Sequence, residues 1–264
     1  MPVADADRPA HPDSPGGGDV GVLRRPALSG RLLRAGAGAA VAPGGFGKST
    51  LLDQAAHDAG APALDVVTDR DCDAATLVWL LARAARRRGA AGLAGALAAA
   101  AAAEPVDAVA VADLVAAAAE AGGLTVVVDE IGELVEPDAL ELVAALAGRA
   151  TPTTDPVEPG LRVLVAGRTL PAALDAAFAV RLDEESLALS PEEVATLVRS
   201  RFGEGAASAE VWARSQGWPA GVAVALARAD GGAESTGAAE AMLEVVVRGP
   251  GSRTFSAPAI AASG

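Results

Sequence analysis

Short apolar runs alternate with longer amphipathic segments through the middle of the chain. The runs predicted to be strands are Ala39–Ala42, Ala63–Val67, Leu124–Asp129, Leu161–Ala166 and Ala179–Leu182. The middle ones are nearly continuous valine and leucine, as in strands that are covered on both faces. Helical spacing predicts helices at Lys48–Ala59, Ala74–Arg88, Val106–Ala121 and Pro137–Gly148. Strands that alternate with helices in this way indicate an α/β fold with a mostly parallel sheet.

From Ser190 onward the pattern changes to helices alone. The run Ser190-Pro191-Glu192-Glu193 supplies an N-cap hydroxyl, a proline in the first turn and the glutamate of a capping box. We therefore expect a sheet domain over residues 24–186 and a small helical subdomain over residues 187–230.

The two ends of the chain are rich in glycine, proline, serine and alanine. Such composition predicts a disordered leader over residues 1–23 and a flexible tail over residues 231–264, with one apolar segment at Met242–Val247. Thr151–Pro159 is predicted to be a loop. The alanine- and glycine-rich stretch Gly89–Ala103 fits either a helix or a surface excursion.

Composition narrows the class of function. The net charge of the 264 residues is −13, which disfavours direct nucleic-acid binding because phosphate contacts need basic groups. One cysteine, Cys72, allows no internal disulfide, and the two histidines are too few for a histidine metal site. There is no membrane-length apolar run and no signal-peptide pattern. We expect a cytoplasmic protein.

The strongest motif is APGGFGKST at Ala42–Thr50, between a predicted strand and a predicted helix. It matches the Walker A pattern with alanine in place of the first glycine, and this context predicts binding of ATP with Mg²⁺. Lysine occurs once against twenty arginines, and the one lysine lies in this motif. The predicted nucleotide-binding residues of the loop are Gly44, Gly45, Phe46, Gly47, Lys48, Ser49 and Thr50. The backbone amides and Lys48 would hold phosphates, and Ser49 would be a Mg²⁺ ligand.

A second candidate motif is the strand Leu124–Asp129 followed by Glu130. Acids after a buried strand often only begin a solvated loop, but a Walker A motif upstream favours the Walker B interpretation. Asp129 would then hold Mg²⁺ through water, and Glu130 would orient or deprotonate the attacking water.

Two further features are candidates with open alternatives. Arg168 follows the strand Leu161–Ala166 and would sense the γ phosphate if that strand lies beside the Walker A strand; otherwise it is a surface arginine. Trp218 and Pro219 form a rigid turn with an aromatic face suited to a flat base, but composition alone favours a helix corner with Trp218 in the core.

Taken in order, these motifs resemble the STAND-type P-loop ATPase module of the large MalT-like, LuxR-family regulators of actinobacteria. The resemblance covers residues 24 to 229 and depends most on GWPAG at 217–221 and SPEE at 190–193. It implies an AAA+/STAND-like fold, a Walker B pair at Asp129 and Glu130, a sensor at Arg168, an adenine-side turn at Gly217–Pro219, and ATP-dependent switching with slow turnover.

The sequence also departs from that family. The family's Walker B motif usually has a second aspartate and then an aromatic–histidine pair, whereas this sequence reads Asp129-Glu130-Ile131-Gly132. The last thirty residues supply none of the family's winged-helix, sensor and helix-turn-helix domains. DNA binding is therefore not expected.

The predicted function is a regulatory switch with weak ATPase activity that binds ATP or ADP and a protein partner or a second copy of itself. Two alternatives stay open. A small-molecule P-loop kinase would need an arginine-rich lid, and the dense run Arg86–Arg88 precedes Walker B. The other alternative is a nucleotide-binding interaction module that does not hydrolyse.

Overall fold

The structure, a computed structural model, describes residues 23–155, 157–203 and 208–230. The predicted leader up to residue 22 and the predicted tail with its apolar segment Met242–Val247 lie outside these residues. Within the described ranges no helix has the length and apolar character needed to cross a bilayer.

Five parallel strands form one sheet in the order β2-β3-β4-β1-β5. Their bounds are β1 Ala37–Val41, β2 Ala63–Val67, β3 Leu124–Asp129, β4 Leu161–Gly167 and β5 Val180–Leu182. The α/β prediction is confirmed: β2 and β3 have the predicted bounds, and those of the other strands differ by one or two residues. Because all strands are parallel, their carboxyl ends meet at one edge, where α/β proteins place their ligands.

Ten helices connect and follow the strands in the described part of the chain. Their bounds are α1 Pro26–Ala35, α2 Lys48–Asp58, α3 Ala74–Arg87, α4 Ala91–Ala101, α5 Ala108–Glu120, α6 Pro137–Arg149, α7 Glu184–Leu187, α8 Pro191–Phe202, α9 Ser208–Ser215 and α10 Pro219–Asp230. The open question at Gly89–Ala103 is answered by α4, which buries Ala94 and Leu97. Helices α1 and α7 were not predicted.

Hydrophobic cores lie on both faces of the sheet. In β3, Val126 and Val128 belong to the core that contains the buried residues of α3 to α6, whereas Val127 belongs to the core with α1 and α2. Successive strand residues point to opposite faces, so an apolar strand requires cover on both sides. The sheet is therefore the middle layer of three.

Helices α8, α9 and α10, called here the helical part, have a small core of their own. It contains Leu189, Val194, Val198, Val222 and Leu226. The capping box at the start of α8 is present, with Ser190 Oγ accepting from the amide of Glu193. This cap fixes where α8 begins.

Candidate functional site

The predicted Walker A loop connects β1 to α2 at the carboxyl edge of the sheet. Gly47 has φ 74° at the N-cap of α2, a left-handed conformation that favours glycine. The first amides of α2 therefore point into the loop, as in an anion-binding helix N-terminus. An open depression of about 190 Å³ lies there, lined by Gly44, Gly45, Gly47, Lys48, Ser49, Thr50, Glu130 and Arg168.

Four predicted binding residues do not line this depression. Asp129 lies next to it, hydrogen-bonded to Ser49. Phe46 is half-buried and packs against the core beside α1 and α2. Trp218 and Pro219 are half-buried and lie outside the depression, with Pro219 as the first residue of α10. Phe46 thus holds the loop to the domain through its apolar side chain.

Lys48 is buried with 9% of its surface exposed, and its Nζ donates to the carbonyl oxygen of Pro43 at 3.0 Å. Burial lowers the pKa of Lys48 from its ordinary value; nearby Glu130 and Asp129 oppose this change, and Arg168 adds to it. A cation that has lost much of its hydration gains strongly from an anionic partner. The site is suited to a phosphate group.

Ser49 and Asp129 come together although they are distant in sequence. Ser49 Oγ donates to Asp129 Oδ2 at 2.5 Å, and Asp129 Oδ1 accepts from the amide of Glu130 at 2.8 Å. A hydroxyl and a carboxylate are oxygen ligands of the kind that Mg²⁺ takes. Mg²⁺ usually keeps several waters and takes only one or two protein ligands beside phosphates, and the pair fits this pattern. No cluster of three acidic, histidine or cysteine ligands exists in the described residues.

Glu130 has a left-handed backbone, with φ 57°. Non-glycine residues in this region are strained and are often found at functional sites. The buried Thr68 supports the strained peptide: its amide and its Oγ1 both donate to the carbonyl oxygen of Asp129 at 3.1 Å, and Oγ1 also lies 3.1 Å from that of Glu130. Sequence reasoning missed Thr68, because a threonine one residue past a strand carries no chemical signal.

The residues after β3 pack directly on those after β4. A Cβ added to Gly132 would lie 2.7 Å from Oγ1 of Thr169 and 2.9 Å from its carbonyl oxygen, so only glycine fits this approach. The same contact brings Arg168 to the side of the depression where Glu130 lies. Gly132, which departs from the expected family pattern, therefore has a packing reason here.

Arg168 lies near the Walker A loop because β4 pairs with β1. Gly167 is the register partner of Val41, and its carbonyl oxygen accepts from the amide of Ala42 at 3.2 Å. The interpretation of Arg168 as a γ-phosphate sensor required that β4 lie beside the Walker A strand, β1, and it does. Arg168 is exposed at the rim of the depression.

The turn at Gly217–Pro219 contacts the Walker A loop itself. Trp218 Nε1 donates to the carbonyl oxygen of Gly44 at 3.2 Å, and the amide of Ala220 donates to that of Gly45 at 3.0 Å. In the helical part, the tryptophan that packs against the small core is Trp212. Trp218 is therefore not the core residue of a helix corner, which was the alternative interpretation. The helical part thus holds the loop from outside.

Solved structures similar to most of this chain include two ATPases. One is a signal transduction ATPase with numerous domains (STAND protein) with a tetratricopeptide repeat sensor, from Pyrococcus horikoshii: it is 16% identical, with a TM-score of 0.56, over 84% of this chain and 32% of that one. The other is a Walker-type ATPase of Pyrococcus abyssi: it is 12% identical, with a TM-score of 0.52, over 86% of this chain and 74% of that one.

These likenesses show that the chain has the α/β fold of P-loop ATPases. The chain spans about a third of the length of the STAND protein. No protein-family model matches the sequence, and no curated protein matches it.

Proposed function

We propose that this chain binds ATP with Mg²⁺ and acts as a nucleotide-dependent regulatory switch that hydrolyses ATP slowly. The observation that carries the proposal is the convergence, on one depression, of the glycine loop, Ser49 and the buried Lys48, with Asp129 hydrogen-bonded to Ser49. The fold shared with a STAND protein that has a sensor supports the regulatory role.

The phosphates would be held by backbone amides and by one mobile cation. Gly44, Gly45 and Gly47 give the loop a backbone that can turn its amides inward, and the N-terminus of α2 adds partial positive charge. Lys48 would exchange the carbonyl of Pro43 for the β and γ phosphates. This exchange favours binding because a carbonyl is a weaker partner for an ammonium than a phosphate is.

Ser49 and Asp129 would hold Mg²⁺, directly or through water, and the bound ion neutralises negative charge on the phosphates. Glu130 would orient the attacking water and accept its proton, from a backbone that Thr68 holds in place. Arg168 would contact the γ phosphate from the rim and sense its loss. Of these residues, only Glu130 would accept the proton of the attacking water.

The switch would consist of two units, the nucleotide domain over residues 24–186 and the helical subdomain over residues 187–230. Trp218 and Pro219 would contact the adenine side of the nucleotide while the turn remains on the loop. A change of nucleotide would then move the helical subdomain and change the surface offered to a protein partner or a second copy of the chain.

Isothermal titration with ATP and Mg²⁺ tests the proposal. Lys48→Ala is expected to weaken ATP binding at least about tenfold, because a charge-assisted phosphate contact of roughly 1.5–3 kcal/mol is lost. Arg70→Ala is the matched control, since Arg70 is an exposed cation that pairs with Glu133 at 3.3 Å and does not line the depression. Unchanged affinity in Lys48→Ala would contradict the proposal.

The alternative of a small-molecule kinase needs an arginine-rich lid, and the position of the run Arg86–Arg88 does not favour it. Arg88 Nε donates to the carbonyl oxygen of Ala63 at 3.0 Å, and Arg87 Nη2 to that of Asp65 at 3.3 Å. Ala63 begins β2, so Arg88 lies at the amino edge of the sheet, opposite the Walker A loop. A turnover assay with the whole chain separates slow hydrolysis from the interaction module that only binds.

A further inference from the structure

Arg25 lies outside the depression and joins two parts of the protein. Its guanidinium forms a two-point pair with Glu193 on α8: Nε to Oε1 is 2.9 Å and Nη2 to Oε2 is 3.2 Å. Oε2 of Glu193 also accepts from the amide of Ser190 at 2.9 Å, so the carboxylate is part of the capping box. Only 14% of the Arg25 side chain is exposed. Arg25 therefore fixes the beginning of α8.

The same side chain binds the connection between α7 and α8. Nη1 donates to the carbonyl oxygen of Leu187 at 2.7 Å, and Nη2 donates to that of Ala188 at 3.1 Å. The planar fork of an arginine spreads five donors over three nitrogens in a fixed geometry, which the single ammonium nitrogen of a lysine does not reproduce. The end of α7 and the start of α8 are thus held by one residue.

The backbone of Arg25 is attached to α2, the helix that begins at Lys48. Its amide donates to Gln54 Oε1 at 3.0 Å, and Gln54 Nε2 donates to the carbonyl oxygen of Leu23 at 2.8 Å. Gln54 is buried in α2. Arg25 is consequently fixed to the P-loop helix on one side and to the α7–α8 connection on the other.

From that connection the contacts lead directly to the Walker A loop. The amide of Leu189 donates to the carbonyl oxygen of Gly217 at 2.7 Å. Gly217 has φ 75°, and a Cβ there would lie 2.4 Å from the carbonyl oxygen of Leu189, so the two backbones are in close contact. The next residue, Trp218, donates to Gly44 of the loop at 3.2 Å.

We infer that Arg25 is a positioning residue for the site: through Ala188 and Leu189 it sets the Trp218 turn on the Walker A loop, and it lines no part of the depression itself. Without its guanidinium the start of α8 keeps its cap but is no longer fixed to α2. The turn then leaves the loop more often. The consequence for ATP affinity rests on the proposed function, whereas the effect on Trp218 does not.

Fluorine NMR of the whole chain labelled with 5-fluorotryptophan measures the position of the turn. The sequence has three tryptophans, so three resonances are expected. Trp79 is an exposed reference on α3, and a soluble gadolinium chelate broadens resonances according to their accessibility. In Arg25→Met without nucleotide, broadening of the Trp218 resonance is expected to rise toward that of Trp79, which itself stays unchanged.

Arg24→Met is the matched control. Arg24 also binds α2, through Asp58, but its side chain is 56% exposed. The control is expected to behave as wild type in both measurements. ATP affinity in Arg25→Met is expected to fall about three- to tenfold, as for the loss of a half-buried charged pair. If Arg25→Met does not fold, Glu193→Gln replaces it, because glutamine at this position keeps the capping box while the charge is lost.

Equal broadening of the Trp218 resonance in wild type and in Arg25→Met would overturn the inference, whatever the ATP affinities of the two proteins. A wild-type chain that binds no ATP would instead overturn the proposed function, and the broadening would still decide the role of Arg25. Increased broadening of the Trp218 resonance with unchanged ATP affinity would show that Arg25 places the turn but that the turn does not affect nucleotide binding. That result would overturn the positioning role of Arg25.

Discussion

Gly45 and Gly47 allow the contact between the Walker A loop and the helical part to be measured without nucleotide. Both have positive φ, 81° and 74°. A Cβ on Gly45 would lie 2.7 Å from Cβ of Ala220 and 2.8 Å from Nε1 of Trp218, whereas a Cβ on Gly47 would meet nothing within 4 Å. Gly45→Ala therefore perturbs the backbone and the contact, while Gly47→Ala perturbs the backbone alone.

The difference between the two variants follows from these contacts. An alanine in the left-handed region costs about 1–2 kcal/mol, and both variants share this cost. Gly45→Ala also disrupts the hydrogen bonds from Trp218 Nε1 and from the amide of Ala220, each worth about 1 kcal/mol. Opening of the turn should thus be easier by about 2 kcal/mol in Gly45→Ala, a factor of about 30 in its population.

Hydrogen exchange at residues 217–222 measures that population, because the amide of Ala220 exchanges only when its bond to Gly45 opens. We expect exchange about 30-fold faster in Gly45→Ala than in Gly47→Ala, with Gly47→Ala close to wild type there. The experiment contains no nucleotide, so lost phosphate contacts cannot produce the difference. Equal exchange in the two variants would refute the contact between turn and loop.

Other variants test single groups. Glu130→Gln should keep ATP affinity but slow single-turnover hydrolysis, because the carboxylate that orients water is lost while the phosphate contacts remain. An unchanged rate of hydrolysis would show that Glu130 has no catalytic role. Ser49→Ala should raise the Mg²⁺ concentration that supports half-maximal ATP binding at least about tenfold in titrations, with Ser200→Ala, an exposed hydroxyl on α8, as control. Thr125→Val should raise the free energy of urea unfolding by about 1 kcal/mol, since the buried hydroxyl has no partner; a decrease would reveal one.

The strands were predictable because their own residues determine them. Leu124–Val128 is buried on both faces and apolar except for Thr125, which is the pattern of a strand between two helical layers. The Walker A loop was predictable for a similar reason, since its glycines, its lysine and the helix after it are contiguous. Local sequence was sufficient for both features.

Features that depend on distant partners were not predictable. Helix α4 reads AGLAGALAAAA, which is apolar all round and shows no helical face, so it could be identified only from its packing on α3. Thr68 and Arg25 serve carbonyl groups that are 61 or more residues away along the chain. Every residue type has a backbone carbonyl, so the residue that accepts such a hydrogen bond cannot be identified from its side chain. Hydrogen bonds of this kind cannot be inferred from composition or spacing.

The use of lysine and arginine in this chain agrees with the different contacts of Lys48 and Arg25. The Arg25 guanidinium donates to a fixed set of acceptors on α7, α8 and the connection between them, a role that suits a planar, preorganised fork. Lys48 has a single contact with Pro43 and sits at the floor of a depression where a ligand would replace that contact. A compact ammonium on a flexible stem can change partners without rearranging a plane of donors. A chain that otherwise uses arginine keeps its lysine at the one position where the proposed function requires a cation that exchanges one partner for another.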